Sequence, residues 1–436
     1  MNTTLSLLLL LSVPALPLLL ALPTLRSRLL WPCHLALLPA VILLAVPAVF
    51  SVDVPWLLFG TGLGIDGVSR LLLAMSVVIW AVAATLLQAP TSRSADNRLA
   101  TFFLLTMAGN LGVTLATELV GFFAFSTLMG YGFYGLLVGG GDEAARRAGR
   151  IYLVFLILAD LALFEALLIV AAATGDLSFE AVRHAMARSP ASGLYLSMVL
   201  VGFAAKAGIW PLHFWLPLVF RSSRPAVALL LGGVPVAIAL LGMVRWLPLG
   251  EITSPKLGLI IQGIGVAAML YAILTGLIRA QLQLLPAYAV IIATGLFVTT
   301  LGTGLADPAT WARYGNWAHV YIVFLGFGLA VLVTTIGWLH TRREYPATPA
   351  MHADDSNPWF ERWPGAVVCW GAKIGFDTLP GLRASWLAKV GCLRQIRVWQ
   401  RTLDSIERSL QRWTFASTLL LLLVVVVAFA GAFSLS

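Results

Sequence analysis

Charge is scarce in this chain: Asp, Glu, Lys and Arg together make up 11% of 436 residues, while 60% are hydrophobic. Soluble domains carry about a quarter of their residues charged. The composition therefore excludes an ordinary water-soluble globule and points to an all-α polytopic integral membrane protein, with a mean hydropathy of +0.92. Cysteine is scarcer still: Cys33, Cys369 and Cys392 lie far apart, with no metal or redox spacing. Neither a disulfide framework nor a zinc site is expected. A glycine-rich phosphate loop and a cysteine cluster for iron–sulfur are both missing. The chain is thus expected to hold no cofactor, no metal and no catalytic site of its own, and any redox chemistry coupled to it belongs to other chains. The formal net charge of +9 speaks to topology and not to nucleic acid.

Apolar runs long enough to span a bilayer, about 20 residues each, recur with short breaks. The pattern predicts helices near 4–25, 29–50, 66–88, 98–116, 118–139, 149–174, 192–218, 224–246, 255–278, 284–304, 312–340 and 413–434, about twelve in all. The first has no basic residue ahead of it and is followed by Arg26 and Arg28, so it reads as a membrane helix and not a signal peptide. Arginines then cluster after every second helix: Arg93 and Arg98, Arg146, Arg147 and Arg150, Arg221 and Arg224, Arg279, Arg342 and Arg343. The alternate loops are mixed or acidic, with Asp53, Asp176, Glu180, Glu251 and Asp307. By the positive-inside rule the arginine-bearing loops face the cytoplasm and the N-terminus faces out, across a cell inner membrane.

Three regions follow: a transmembrane bundle over 1–340, a polar linker with an amphipathic helix over 341–412, and a terminal span over 413–436. In the second, Ile396, Trp399, Leu403, Ile406 and Leu410 fit one helical face, with Arg394, Arg397, Arg401 and Arg408 off it. Tryptophans at 386, 399 and 413 suit a membrane interface on the cytoplasmic side.

The stretch Leu196–Trp246 carries the chemistry. Two apolar runs flank a short polar turn, Arg221-Ser222-Ser223-Arg224, and the first run holds Lys206, Pro211, His213 and Pro217. An ammonium at membrane depth costs several kcal/mol unless it is paired or hydrated. Pro211 and Pro217 bring no N–H to the carbonyls of Ala207 and His213. Charge beside freed carbonyls in an apolar helix is how a polar pocket is built inside a bilayer. Pro235 and Pro286 predict further helix breaks.

KAGIWPLHFWLP, the short turn, and PAVALLLGGVPVAIALLGMVR resemble the antiporter-like membrane subunits of respiratory complex I. The same family supplies multisubunit sodium/proton antiporters, membrane-bound hydrogenases and two-component inorganic-carbon pumps. Lys206, Pro211, Trp215, Leu216, Pro217, Pro225 and Arg245 match its pattern, and the resemblance covers about 55–335. FGTGLGIDGVSRLLLAMSVVIW resembles the opening of the family's third helix, where Asp66 is expected to cap and to pair with Arg70. The sixth helix, RIYLVFLILADLALFEALLIV, is similar to the complex I end-subunit type, with Asp160 at that type's buried aspartate. Asp160 is the expected counter-ion of Lys206, because opposite charges buried apart cost more than the same two together. Glu165 is an added carboxylate, roughly 140° round the helix from Asp160.

The chain also departs from the family. Thr127 stands where the family places the glutamate that partners the lysine, with Glu118 nine residues earlier. Leu231, Ala237 and Val323 occupy positions that carry a histidine or lysine in relatives, while His319 matches the histidine of the eleventh helix. What the resemblance implies is a subunit of a larger ion-coupled complex that moves protons or cations through Lys206, Asp160, His319, His213 and Glu165, with other membrane or soluble subunits as partners. Burial disfavours the charged lysine while a carboxylate favours it, so such a pair can release and regain a proton. The alternative is a non-conducting coupling subunit that anchors a partner, including the membrane component of an inorganic-carbon pump. A haem reading would draw on His34, His213 and His319, whose neighbours show no paired-histidine spacing.

Overall fold

The computed structural model describes residues 3–344 apart from 28, 30–31, 55, 58–59, 88–92, 140–142 and 280–283. The amphipathic helix expected within 341–412 and the span expected over 413–436 lie outside the described residues, as do Cys369 and Cys392.

The first apolar run forms α1 (Thr3–Ala21) and the single turn α2 (Pro23–Arg26). The helix predicted near 29–50 is shorter and broken, into α3 (Pro32–Leu35) and α4 (Leu38–Ala45). Pro47 explains the early stop: the residue before a proline is pushed out of the helical region, and Val46 is extended with ψ 114°. The chain beyond forms strand β1 (Phe50–Asp53), paired antiparallel with β2 (Gly62–Ile65), Phe50 opposite Ile65 and Asp53 opposite Gly62. This hairpin is the one departure from an all-α bundle among the described residues.

Four long helices follow: α5 (Gly67–Leu87), α6 (Arg93–Leu115), α7 (Leu119–Val138) and α8 (Glu143–Ala173). A short amphipathic helix, α9 (Phe179–Arg188), is capped by the Ser178 hydroxyl, which accepts from the Ala181 N–H. The lysine-bearing run is split into α10 (Ser192–Ala207) and α11 (Trp215–Ser222). The next run is α12 (Pro225–Gly233) and α13 (Pro235–Trp246), followed by α14 (Pro255–Arg279), α15 (Leu285–Ala306) and α16 (Pro308–Glu344). Among the described residues, nine helical segments are long and apolar enough to cross a membrane. The protein is a multi-pass membrane bundle.

Its centre is the α12–α13 segment, in which every residue from Ala226 to Val244 is buried by its neighbours. The sequence dictates this: PAVALLLGGVPVAIALLGMV is apolar on every side, and such a helix finds partners all round. Helices α14 and α15 pack closest. A methyl on Gly258 or Gly265 would stand 2.6 and 2.5 Å from the carbonyl oxygens of Gly302 and Gly295, so only hydrogen fits there.

One end of the bundle gathers the acidic loops. Leu63 bridges Ala116, Glu118 bridges Ser178, His184 Nδ1 lies 2.8 Å from Glu251 Oε2, and the Ser254 N–H donates to the Leu305 carbonyl at 2.9 Å. Successive helices run in opposite directions, so the arginine-rich connections lie at the other end. There the Arg26 guanidinium is buried and donates to the Asn97 carbonyl at 2.8 Å and to Thr101 Oγ1 at 3.1 Å.

Candidate functional site

The site begins where α10 stops. Gly208 terminates the helix in the left-handed region, φ +64°, which glycine adopts at little cost. The carbonyls freed there find partners: Ala204 accepts from the Ile209 N–H at 2.9 Å, and Ala205 accepts from Trp215 Nε1 at 3.1 Å. Lys206 therefore sits in the last turn of a half-helix, at the negative end of its dipole, and not in mid-helix.

From that position the Lys206 ammonium reaches two other helices. Nζ lies 2.7 Å from Asp160 Oδ1 on α8, and donates to Ser126 Oγ on α7 at 2.9 Å. The lysine and aspartate side chains are 7% and 9% exposed, so the pair is almost wholly removed from solvent. The aligned hydrogen bond goes to the serine. Neither Asp160 oxygen accepts a hydrogen bond of good geometry among the described residues, so the contact with the lysine is one of charge, and the carboxylate retains open acceptor positions.

A void of about 20 Å³ adjoins the ammonium, walled by Ser126, Tyr152, Trp215 and Pro235 among others. Such a void holds a single water, which needs roughly 10–15 Å³. Pro235 lies at the break between α12 and α13, where Val234 has φ −121° and ψ −69°. With no N–H, Pro235 leaves the Leu231 carbonyl without its helical donor. The arrangement therefore offers a buried cation, a carboxylate with open acceptor positions, a hydroxyl and one water-sized gap.

The other candidates are placed elsewhere. Glu165 is on the exposed side of α8, as its 140° offset from Asp160 requires. His213 is buried between the rings of Phe214 and Tyr271, with centroids 4.5 and 4.7 Å away. Pro211, joined to Trp210 by a cis peptide, lies in the gap between α10 and α11. Pro217 and Pro286 fall in the first turns of α11 and α15, where a missing N–H leaves no helical carbonyl unpaired, so they begin helices and do not break them.

His319 belongs to a second group of charges at the acidic-loop end, around a cavity of about 760 Å³. Asp66 caps α5 as expected, accepting from the Ser69 N–H at 2.6 Å. Its cationic neighbour differs. Arg70 turns away to donate to the Val46 and Ala48 carbonyls, both at 2.7 Å, and Arg245 Nη2 stands 4.0 Å from Asp66 Oδ2 instead. Two carbonyls left bare by the Pro47 break hold Arg70 more firmly than a half-exposed carboxylate does. Burial raises the Asp66 carboxyl, but the Ser69 amide and Arg245 outweigh it and hold the group below the usual aspartate range. Glu118 precedes α7 and accepts from the Gly62 N–H at 2.8 Å; burial there wins and raises its carboxyl above the usual range.

Sequence reasoning does not find Ser126. It looks to Thr127, whose hydroxyl is buried with no hydrogen-bond partner among the described residues. The only available signal is adjacency to the family's glutamate position. The Asp66–Arg245 approach is likewise invisible without the fold.

Comparison with known proteins identifies the family and the fold. The family described as NADH:quinone oxidoreductase/Mrp antiporter, transmembrane, matches residues 116–343, more than half of the chain. A component of a probable K(+)/H(+) antiporter of Rhizobium meliloti is 27% identical over 265 residues, covering 56% of this chain and 47% of that protein. An NADH-quinone oxidoreductase subunit of Pelobacter propionicus is 26% identical over 217 residues, covering 48% and 46%. The chain spans about half the length of these curated relatives. A chain of the Mrp complex from Dietzia sp. superposes with a TM-score of 0.58 at 21% identity, over 78% of this chain and 63% of that one. A chain of the membrane-bound sulfane sulfur reductase, an archaeal respiratory complex, superposes with a TM-score of 0.59 at 22% identity, over 76% and 56%. At those identities the structural likeness is one of fold.

Proposed function

The chain belongs to the NADH:quinone oxidoreductase/Mrp antiporter membrane family, and from that membership we propose that it is a proton-translocating subunit of a larger membrane complex, with Lys206 and Asp160 as its relay. The observation that carries the reading is the 2.7 Å approach of two buried opposite charges at the end of a broken helix. Keeping such a pair in an apolar bundle costs several kcal/mol of desolvation per ion, and packing alone is served as well by leucine. Proton transfer needs the arrangement present: when Asp160 is neutralised or swings away, the ammonium loses its compensation and gives up a proton to the adjoining water site. Ser126 holds the lysine in place through that step. The complex supplies the driving reaction through other subunits, and the arginine-rich end faces the cytoplasm of a cell inner membrane.

A second reading has its own support. Leu231 and Ala237 are fully buried, and with Val323 they put apolar side chains where relatives carry titratable ones. His319 lines the separate end cavity, which Lys206 and Asp160 do not line. A coupling subunit that anchors a partner, such as the membrane component of an inorganic-carbon pump, fits those substitutions.

Lys206→Met separates the two. Methionine fills similar volume without charge, so the complex assembles either way. Loss of proton uptake into vesicles supports the relay; uptake at the unsubstituted rate supports the coupling role.

A further inference from the structure

The Lys206–Asp160 pair leaves Glu165 unexplained. Its side chain is exposed, and it makes no hydrogen bond or ion pair with another described residue. The depth at which it stands makes this costly. Helix α8 ends at Ala173, which puts Glu165 roughly 12 Å inside that end at about 1.5 Å per residue. The apolar part of the helix begins at Ile151, roughly 21 Å away in the other direction. Among the described residues, the other exposed carboxylates sit at helix ends, in loops or in the hairpin. An ionised group within a span ordinarily turns inward to a partner or to water. Glu165 faces out from the bundle.

The surface around it has the form of a helix seat. Ile157, Leu161, Phe164 and Leu168 are all exposed, and they recur at intervals of four, three and four residues. That is the a/d repeat along which one helix lies on another. Glu165 then takes the flanking e position, where opposite charges select the partner and its register. The seam is held from the bundle side, with the Phe164 ring beside that of Phe123 on α7, centroids 6.1 Å apart.

We propose that this face of α8 seats a membrane-spanning helix of a different subunit, which presents a lysine or arginine to Glu165. The inference rests on the reading that the chain works within a larger membrane complex, and it is independent of the relay. Charge decides the occupant. This chain's own span, expected over 413–434, has no basic residue after Arg412, so it offers the carboxylate nothing. A second copy meeting the same face across a two-fold axis sets Glu165 against Glu165, which repels. Lipid tails leave the charge uncompensated. A basic helix from another chain covers the seam, neutralises the carboxylate and fixes how far the two helices slide.

The test uses the full chain in native membranes and the complex purified with it. In one arm, benzoylphenylalanine replaces Leu161 or Leu168, and the adducts formed on irradiation are sequenced. The expected adduct is a different membrane subunit, joined within a span that holds a lysine or arginine. In the other arm, Glu165→Leu removes the charge from an outward face, so the chain still folds and its amount in the membrane is unchanged. Co-purification of the adducted subunit falls roughly tenfold or more. Glu165→Lys gives the same loss by repulsion, and changing the partner's basic residue to Glu restores assembly with Glu165→Lys. Adducts to lipid alone, to residues 413–434 or to a second copy of this chain overturn the proposal, as does an adducted span with no basic residue. Undiminished co-purification in Glu165→Leu overturns it too. If no other chain co-purifies with the unsubstituted protein, the larger-complex reading falls as well; if others do and α8 meets only lipid, this face alone is refuted.

Discussion

Lys206 Nζ stands 2.7 Å from Asp160 Oδ1, and the two come from different helices. Removing one partner of a buried pair leaves the other uncompensated, at about 3–5 kcal/mol, but the two halves are not equivalent. Asp160→Asn strands an ammonium that also holds Ser126. Lys206→Met strands a carboxyl that stays buried by taking a proton. Thermal unfolding of the purified protein should therefore rank Asp160→Asn as the more damaging single change, with the double variant milder than Asp160→Asn alone. A double variant no better than Asp160→Asn would show that the charges do not compensate one another.

Ser126 should matter more than its size suggests. Ser126→Ala deletes a hydrogen bond to a charged donor, worth about 1.5–3 kcal/mol, and proton flux should fall roughly tenfold or more. Thr127→Glu places a carboxylate beside this group, one residue from Ser126, and should change the flux in either direction. Unchanged flux in both variants would place the proton route away from α7.

At the acidic-loop end, two carboxylates give opposite pH signatures. Asp66 is held below the ordinary aspartate value of about 3.9. The unfolded chain binds its proton first as pH falls, so Asp66 contributes stability above that value and loses it below. Glu118 is raised above the ordinary glutamate value of about 4.3. The folded chain holds that proton longer, so stability falls as pH rises from that value through the raised one. Melting temperature followed from pH 3 to 7 should lose its low-pH drop in Asp66→Asn and lose its decline above about 4.3 in Glu118→Gln. Identical slopes in the two variants would contradict both environments.

Much of the bundle is legible in the sequence because a bilayer tolerates so few alternatives. Among the described residues, nine of the apolar runs carry a helical segment long enough to span, and the resemblance to the complex I end-subunit type, with the cost of burying opposite charges apart, points to Asp160 for Lys206. What escapes the sequence is set by tertiary geometry. Residues 50–53 pair as a strand because β2 lies alongside and Pro47 has ended α4. Arg70 abandons Asp66 for bare carbonyls that no propensity scale records. Ser126 and Thr127 are neighbours in sequence, and only the rotation of α7 decides which one meets the ammonium.

Sidedness gives an independent check. Arg146 and Glu180 lie at opposite ends of α8 and the loop that follows, both accessible to solvent. Impermeant thiol reagents should label Arg146→Cys from the cytoplasmic face and Glu180→Cys from the other. Labelling of both from one face would overturn the orientation.

The most direct test of the relay is proton flux in the double variant Lys206→Met with Asp160→Asn, reconstituted with its complex and compared with the unsubstituted protein under the same driving reaction. Both charges are gone, so neither an orphan acid nor an orphan ammonium confuses the result. The relay predicts an assembled complex with no driven proton flux. Flux at the unsubstituted rate in that variant would contradict it.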